Sequence, residues 1–254
     1  MIFAFFRKEM DELIKSGRIW LLSIVSAGMG ILGPLTAKLT PLILKLFAES
    51  LENSGMVISE TKISALDSWT QFYKNMPLML IFLVILFGGL FTKEYSEGTL
   101  ILAITKRISR TQIYFAKLLS LLTVWTACYA VYLCISYGYT VYYWDNSIVS
   151  HLLPAVLFPW LFGIYLFCGL VFFSILSDSS AGVIIGTGVI GFGPSLLAAI
   201  PALENWMPTH MNDGMSMLIG KNVPGDYLKA GLVTGIVTVA MIIGGNVLFQ
   251  KKQL

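Results

Sequence analysis

Leu118–Tyr139 and Leu152–Leu176 each run for more than twenty residues without one charged side chain. An uncharged apolar stretch of ~18 residues or more is long enough to cross the ~30 Å hydrocarbon layer as a helix. There it satisfies its own backbone polar groups, which lipid cannot do. Barrel strands are a poor alternative, because they alternate polar and apolar over ~10 residues and these runs are continuous. The remainder of the chain agrees: 12% of its 254 residues are charged, against about a quarter in a soluble domain.

Six spans are expected, at about 19–37, 76–91, 113–139, 152–176, 181–200 and 228–249, forming a single all-α transmembrane domain over residues 1–254. The second is short for the bilayer and the third is long. Six spans put both termini on one side. Eleven of the seventeen Lys and Arg residues fall on that side; the other holds six, together with eight acids. By the positive-inside rule the termini are expected in the cytoplasm, in a multi-pass plasma-membrane protein.

Residues 1–17 read as a helix lying on the membrane surface rather than as a signal peptide, because Glu9, Asp11 and Glu12 precede the first span. Phe3, Phe6, Met10, Leu13 and Ile14 recur at helical spacing, and Arg7, Lys8, Asp11, Glu12 and Lys15 fill the opposite face. Gly17 is a natural stop.

Several chemistries are missing. There is no G-x-x-x-x-G-K-[ST] loop, so the chain is not expected to hydrolyse ATP by itself. There is no H-E-x-x-H helix and no G-x-S-x-G elbow. His151 and His210 are the two histidines, and no metal site is expected. Cys128, Cys134 and Cys168 all fall in spans without CxxC spacing. The span centres lack the ionisable groups through which secondary transporters couple to ions. Energy for moving a substrate must then arrive from outside the chain.

The place for it to arrive is the charged connector between the second and third spans, residues 93–112, KEYSEGTLILAITKRISRTQ. Ser96 can cap a short helix in which Leu100, Ile101 and Ile104 face the membrane. Lys106, Arg107 and Arg110 follow. Ser109 and Gln112 match a capping box, S-x-x-Q, at the start of the third span. A short surface helix, a turn and a fresh helix start make a surface that another protein can push.

These residues carry a resemblance. Glu94, Gly98, Thr99 and Leu100, then Ser109, Arg110 and Lys117, resemble the first cytoplasmic loop of the type-2 ABC transporter permeases: E-x-x-x-G-T-L, a short helix, P-x-S-R and a downstream G-K. Arg107 stands where a proline is common and Ala116 where a glycine is common. The layout is similar over nearly the whole chain. The resemblance implies an ABC-2, or type V exporter-like, fold with a cytoplasmic coupling helix and outer re-entrant helices in residues 201–226.

It also implies a permease subunit of an ATP-driven exporter. Its partners are a separate cytoplasmic ATPase, which binds ATP and Mg, a second permease copy or paralogue, and membrane lipid. Coupling then falls to Glu94, Glu97, Gly98, Thr99, Leu100, Ile104 and Arg110. Gly28, Gly182, Gly186 and Gly193 fit either packing within one chain or a dimer interface through the first and fifth spans. Met207, Met211 and Met215 fit an outer gate or ordinary interfacial anchoring. Leu39–Lys74 reads as a second outer segment forming a small cap. Short permeases of this kind, such as bacitracin, lantibiotic-immunity and phenol-soluble modulin exporters, move amphipathic or antimicrobial peptides. The alternatives are a stand-alone channel or secondary transporter, and a membrane scaffold.

Overall fold

The computed structural model describes residues 2–52, 63–96, 98 and 108–252. They form α1 (Ile2–Lys15), α2 (Arg18–Glu52), α3 (Ala65–Phe87), α4 (Thr92–Ser96), α5 (Arg110–Tyr143), α6 (Leu152–Leu176), α7 (Ser180–Ala198), α8 (Pro201–Glu204), α9 (Gly214–Leu218) and α10 (Leu228–Lys251). Short 3-10 turns lie at Asn146–Ile148, Pro208–Asn212 and Pro224–Tyr227. The fold is all-α among the described residues, and six helices are long and apolar enough to cross a membrane.

Two boundaries differ from the sequence reading. The helix of the first span continues to Glu52, 35 residues in all, which at ~1.5 Å per residue is ~52 Å. The second span starts at Ala65, not near residue 76. Asp67 and Lys74 end the uncharged run but not the helix. The backbone N–H and the hydroxyl of Ser64 both donate to the Asp67 carboxylate, at 2.8 and 3.0 Å, which fixes the helix start. Ala65, Trp69, Phe72 and Met76 then continue one buried stripe. Most of the segment assigned to an outer cap is therefore helix; residues 53–62 of it lie outside the described residues.

Three prolines inside the spans are compensated by a neighbouring helix. A proline inside a helix has no N–H for the carbonyl four residues before it, and lipid offers no donor. Pro34 frees the Gly30 carbonyl, which accepts from the Ser136 hydroxyl at 3.2 Å. Pro159 frees that of Ala155, which accepts from Tyr73 at 2.9 Å. Pro194 frees that of Ile190, which accepts from Tyr165 at 3.1 Å. Each hydroxyl comes from a different helix, so each repaired defect also ties two helices together.

Helix α6 is the centre of the bundle, with most of its length buried, whereas α7 and α10 bury one face and turn the other outward. Ile185, Val189 and Leu196 of α7 and Leu232 and Ile236 of α10 are exposed, as expected where lipid is the solvent. Close packing, not water exclusion, holds such helices together. The α7–α10 connection folds back onto the bundle: Pro208, His210, Met211, Met217 and Leu218 are buried. The Tyr227 ring is stacked between Phe158 (5.3 Å) and His210 (4.5 Å), and its hydroxyl donates to the Asp213 carbonyl at 2.7 Å.

Candidate functional site at the connector

Helix α4 leaves the end of α3 through Gly88 and Gly89 and carries Glu94 inward. Lys117, about one turn beyond Ile113 in α5, is 1% exposed. Its ammonium donates to Glu94 Oε1 at 2.8 Å and to Glu9 Oε2 at 2.9 Å. Glu9 comes from α1, where it is buried between Phe5 and Leu13 on the face packed against the bundle. Three elements distant in sequence thus meet at one buried ammonium. Lys8 completes the cluster at 3.4 Å from Glu9 and 3.3 Å from Glu12. Burial acts to lower the Lys8 pKa, but Glu9, Glu94 and Glu12 outweigh it and hold the ammonium above the usual lysine value. Two carboxylates facing Lys117 and Lys8 balance in charge, which a low-dielectric site requires. Beside them is a polar cavity of about 180 Å³, also bordered by Arg18, Lys93 and Ser120.

The far end of the connector is built by local chemistry. Ser109 caps α5: its hydroxyl accepts from the Gln112 N–H and its own N–H donates to Gln112 Oε1, both at 3.3 Å. The expected capping box is present. Arg110 then reaches the C-terminal end of α10, donating to the carbonyls of Phe249 (3.3 Å), Gln250 (3.0 Å) and Lys252. These are carbonyls that a helix end leaves without partners, and a cation is favoured there.

Lys252 in turn donates to the Ile175 carbonyl (2.8 Å) and Asp178 (2.9 Å), and lies 4.3 Å from the centre of the Tyr95 ring. Thr92 and Ser180 are in hydrogen-bond contact at 3.0 Å. The ends of α4, α5, α6, α7 and α10 are therefore linked on the connector side of the bundle.

A family model described as ABC-2 family transporter protein matches residues 3–190, from α1 through the connector into α7. The chain belongs to the ABC-2 transporter family. No curated protein matches the sequence. Membership supports a multi-pass membrane permease subunit of an ABC transporter, the coarse function expected from the loop residues.

Within this ABC-2 permease the sequence-derived residues fall into three groups. Glu94 is in the buried charged cluster, and Arg110 stands at the connector's far end on the carbonyls of α10. Gly98 follows α4 with φ +68°, a left-handed conformation that favours glycine, and a Cβ there meets nothing within 4 Å among the described residues. Glu97, Thr99, Leu100 and Ile104 lie outside the described residues.

The four glycines separate. A Cβ on Gly182 is 2.2 Å from Ser177 Oγ, and one on Gly186 is 2.5 Å from the Phe173 ring. A bulky residue at Gly186 therefore disturbs the packing of α7 on α6 within the chain. A Cβ on Gly28 meets nothing within 4 Å, and one on Gly193 meets only its own helix's Val189.

Of the methionines, Met211 is 1% exposed in the core, and Met215 Sδ accepts from Thr70 at 3.6 Å. Met207, Met211 and Met215 all lie away from the lining of the apolar cavity between α3 and α7.

Glu9 and Lys117 are the site residues that the sequence reading did not assign. Glu9 was visible: at i, i+4 and i+8 with Phe5 and Leu13 it puts an acid on an apolar face. The expected apolar stripe of Phe3, Phe6, Met10, Leu13 and Ile14 is split: Leu13 is buried and Phe6 and Met10 pack against the core, whereas Phe3 and Ile14 are exposed. One side of α1 packs on protein and another is exposed, and both carry apolar residues, so apolarity alone does not distinguish them.

Proposed function

We propose that this chain is the membrane subunit of an ATP-driven exporter, with ATP and Mg bound in a separate cytoplasmic ATPase and two permease chains in the assembly. Amphipathic or antimicrobial peptides are the substrate class, on the strength of the resemblance to short bacterial peptide exporters. The observation that carries the coupling reading is the convergence of Glu9, Glu94 and Lys117 immediately before and after the connector. An ATPase pressing on residues 97–107 moves α4. Glu94 then transfers the movement to α5 through Lys117 and to α1 through Glu9. Charge-assisted hydrogen bonds suit this work, being short and directional.

The test is to express Glu97→Lys and Leu100→Asp with the partner ATPase and to measure protein level, pull-down and peptide export. Truncating a well-packed apolar anchor commonly costs about 2 kcal/mol or more, a roughly thirtyfold loss of association. Both variants are expected at normal level with export lost. Normal export by both variants makes the connector a plain linker and removes the exporter reading's main support.

The same reading requires the connector and both termini in the cytoplasm, which the distribution of Lys and Arg supports. A membrane-impermeant thiol reagent is expected to label Lys221→Cys in intact cells, and Ser109→Cys only after the membrane is opened. The native thiols are replaced first. Labelling of Ser109→Cys in intact cells reverses the orientation.

A further inference from the structure

A cavity of about 320 Å³ runs between α3, α6 and α7, at the low end of the ~300–1,000 Å³ typical of small-ligand sites. Leu80, Val84, Leu166 and Ile184 line it with carbon. Its space exists because α7 presents Gly188 and Gly191 here. A Cβ on Gly191 comes within 2.8 Å of Leu166 Cδ1, whereas one on Gly188 meets nothing within 4 Å. The opening is lateral: Ile81, Ile85 and Phe192 line the slot and are themselves exposed and apolar. Entry is thus from hydrocarbon rather than from water.

Water is a poor occupant, since it needs two to four polar partners. The Thr187 hydroxyl is committed to the Val183 carbonyl of its own helix at 2.7 Å. Only the end remote from the connector is polar, with Ser195, Thr209 and Asn212. There the Oδ1 of Asn212 is buried without a hydrogen-bond partner. An apolar slot open to the bilayer and ending in an unpaired acceptor fits one kind of molecule: an apolar chain whose head donates a hydrogen bond.

We propose that the α3–α7 slot binds one acyl chain of a membrane phospholipid, with a donating headgroup such as phosphatidylethanolamine placed at Asn212. The site is separate from the charged cluster at the connector. A lipid held there fills the gap between the second and fifth spans and stiffens their contact. It does not depend on which substrate the protein carries.

The purified full chain is placed in phosphatidylcholine vesicles containing a small fraction of phosphatidylethanolamine with a photoactivatable diazirine in one acyl chain. A parallel set carries the same chain on phosphatidylcholine, whose quaternary ammonium has no N–H. Label is expected to concentrate on α3 and α7 over the lipid-facing Leu232 and Ile236 of α10. The ethanolamine lipid is expected to exceed the choline lipid about threefold, the discrimination one hydrogen bond supplies. Gly188→Leu fills the slot from a position with free space, and is expected to reduce α3 and α7 labelling about tenfold while α10 labelling stays. Asn212→Leu is expected to abolish the headgroup preference alone. Equal labelling of α10 and the slot, or wild-type labelling of Gly188→Leu, overturns the site. A preference retained in Asn212→Leu overturns the headgroup assignment.

Discussion

Replacing Lys117 with methionine is expected to cause one of the largest losses of stability available from a single substitution in this protein. The side chain is 1% exposed and stands between two carboxylates at 2.8 and 2.9 Å. Methionine matches its length and preserves its helix propensity, so the effect isolates the charge. What remains is Glu9 and Glu94 without the ammonium that stood between them, with Lys8 3.4 Å from Glu9. Breaking a buried pair by removing one member costs about 3–5 kcal/mol, because an uncompensated charge is left behind.

The measurement is thermal unfolding of the purified protein in detergent. A large fall in midpoint is expected for Lys117→Met. Glu9→Gln, Glu94→Gln and Lys117→Met combined are expected to recover most of it, since a buried ion cluster replaced as a whole is often neutral. If the exporter reading holds, the recovered triple variant binds the ATPase but exports poorly, which separates folding from transmission. Unchanged stability of the single variant shows that the three side chains are not a buried cluster.

Gly163→Ala is the second. A Cβ there is 2.1 to 2.6 Å from three atoms of the Trp125 indole. The indole has no room to withdraw: it is fully buried, donates to the Trp160 carbonyl at 3.1 Å, and lies 5.3 Å from the ring centres of both Tyr129 and Phe167. Overpacking of this kind costs about 1–3 kcal/mol. Alanine's advantage over glycine within a helix, about 0.8–1.0 kcal/mol, offsets only part. Gly188→Ala carries the same propensity gain with nothing within 4 Å, and is expected to leave the midpoint unchanged or slightly raised. Equal behaviour of the two variants on a melting curve removes the close α5–α6 contact at Trp125 as a determinant of the fold.

How much of this was legible depended on whether the signal was local. The spans, the Ser109–Gln112 capping box and the break at Gly17 follow from composition and spacing within a few residues, and all three are present. The start of α3 was misplaced because a search for uncharged runs stops at Lys74, although the stripe from Ala65 through Phe72 continues behind it. Lys117 matches the lysine of the family's G-K pattern, but that match says nothing of what it touches. Its partners stand 108 and 23 positions away, and no periodic pattern links them. The hold of Arg110 on the last turn of α10 is equally invisible, because it recognises backbone carbonyls, which every sequence has.

The repaired prolines set a timetable. A chain emerges from its N-terminus, so a donor encoded upstream is waiting when its acceptor arrives. Tyr73 precedes Ala155 by 82 positions, and Tyr165 precedes Ile190 by 25; α6 and α7 enter beside helices already able to receive them. The Gly30 carbonyl is in the opposite position, since Ser136 is synthesised 106 residues after it. Until then α2 carries an acceptor that lipid cannot satisfy. The first span therefore gains its full benefit from leaving water, or the insertion machinery, only once α5 has been made. The contact between the first and third spans thus closes a backbone defect that the second span, although it packs on the first, leaves open.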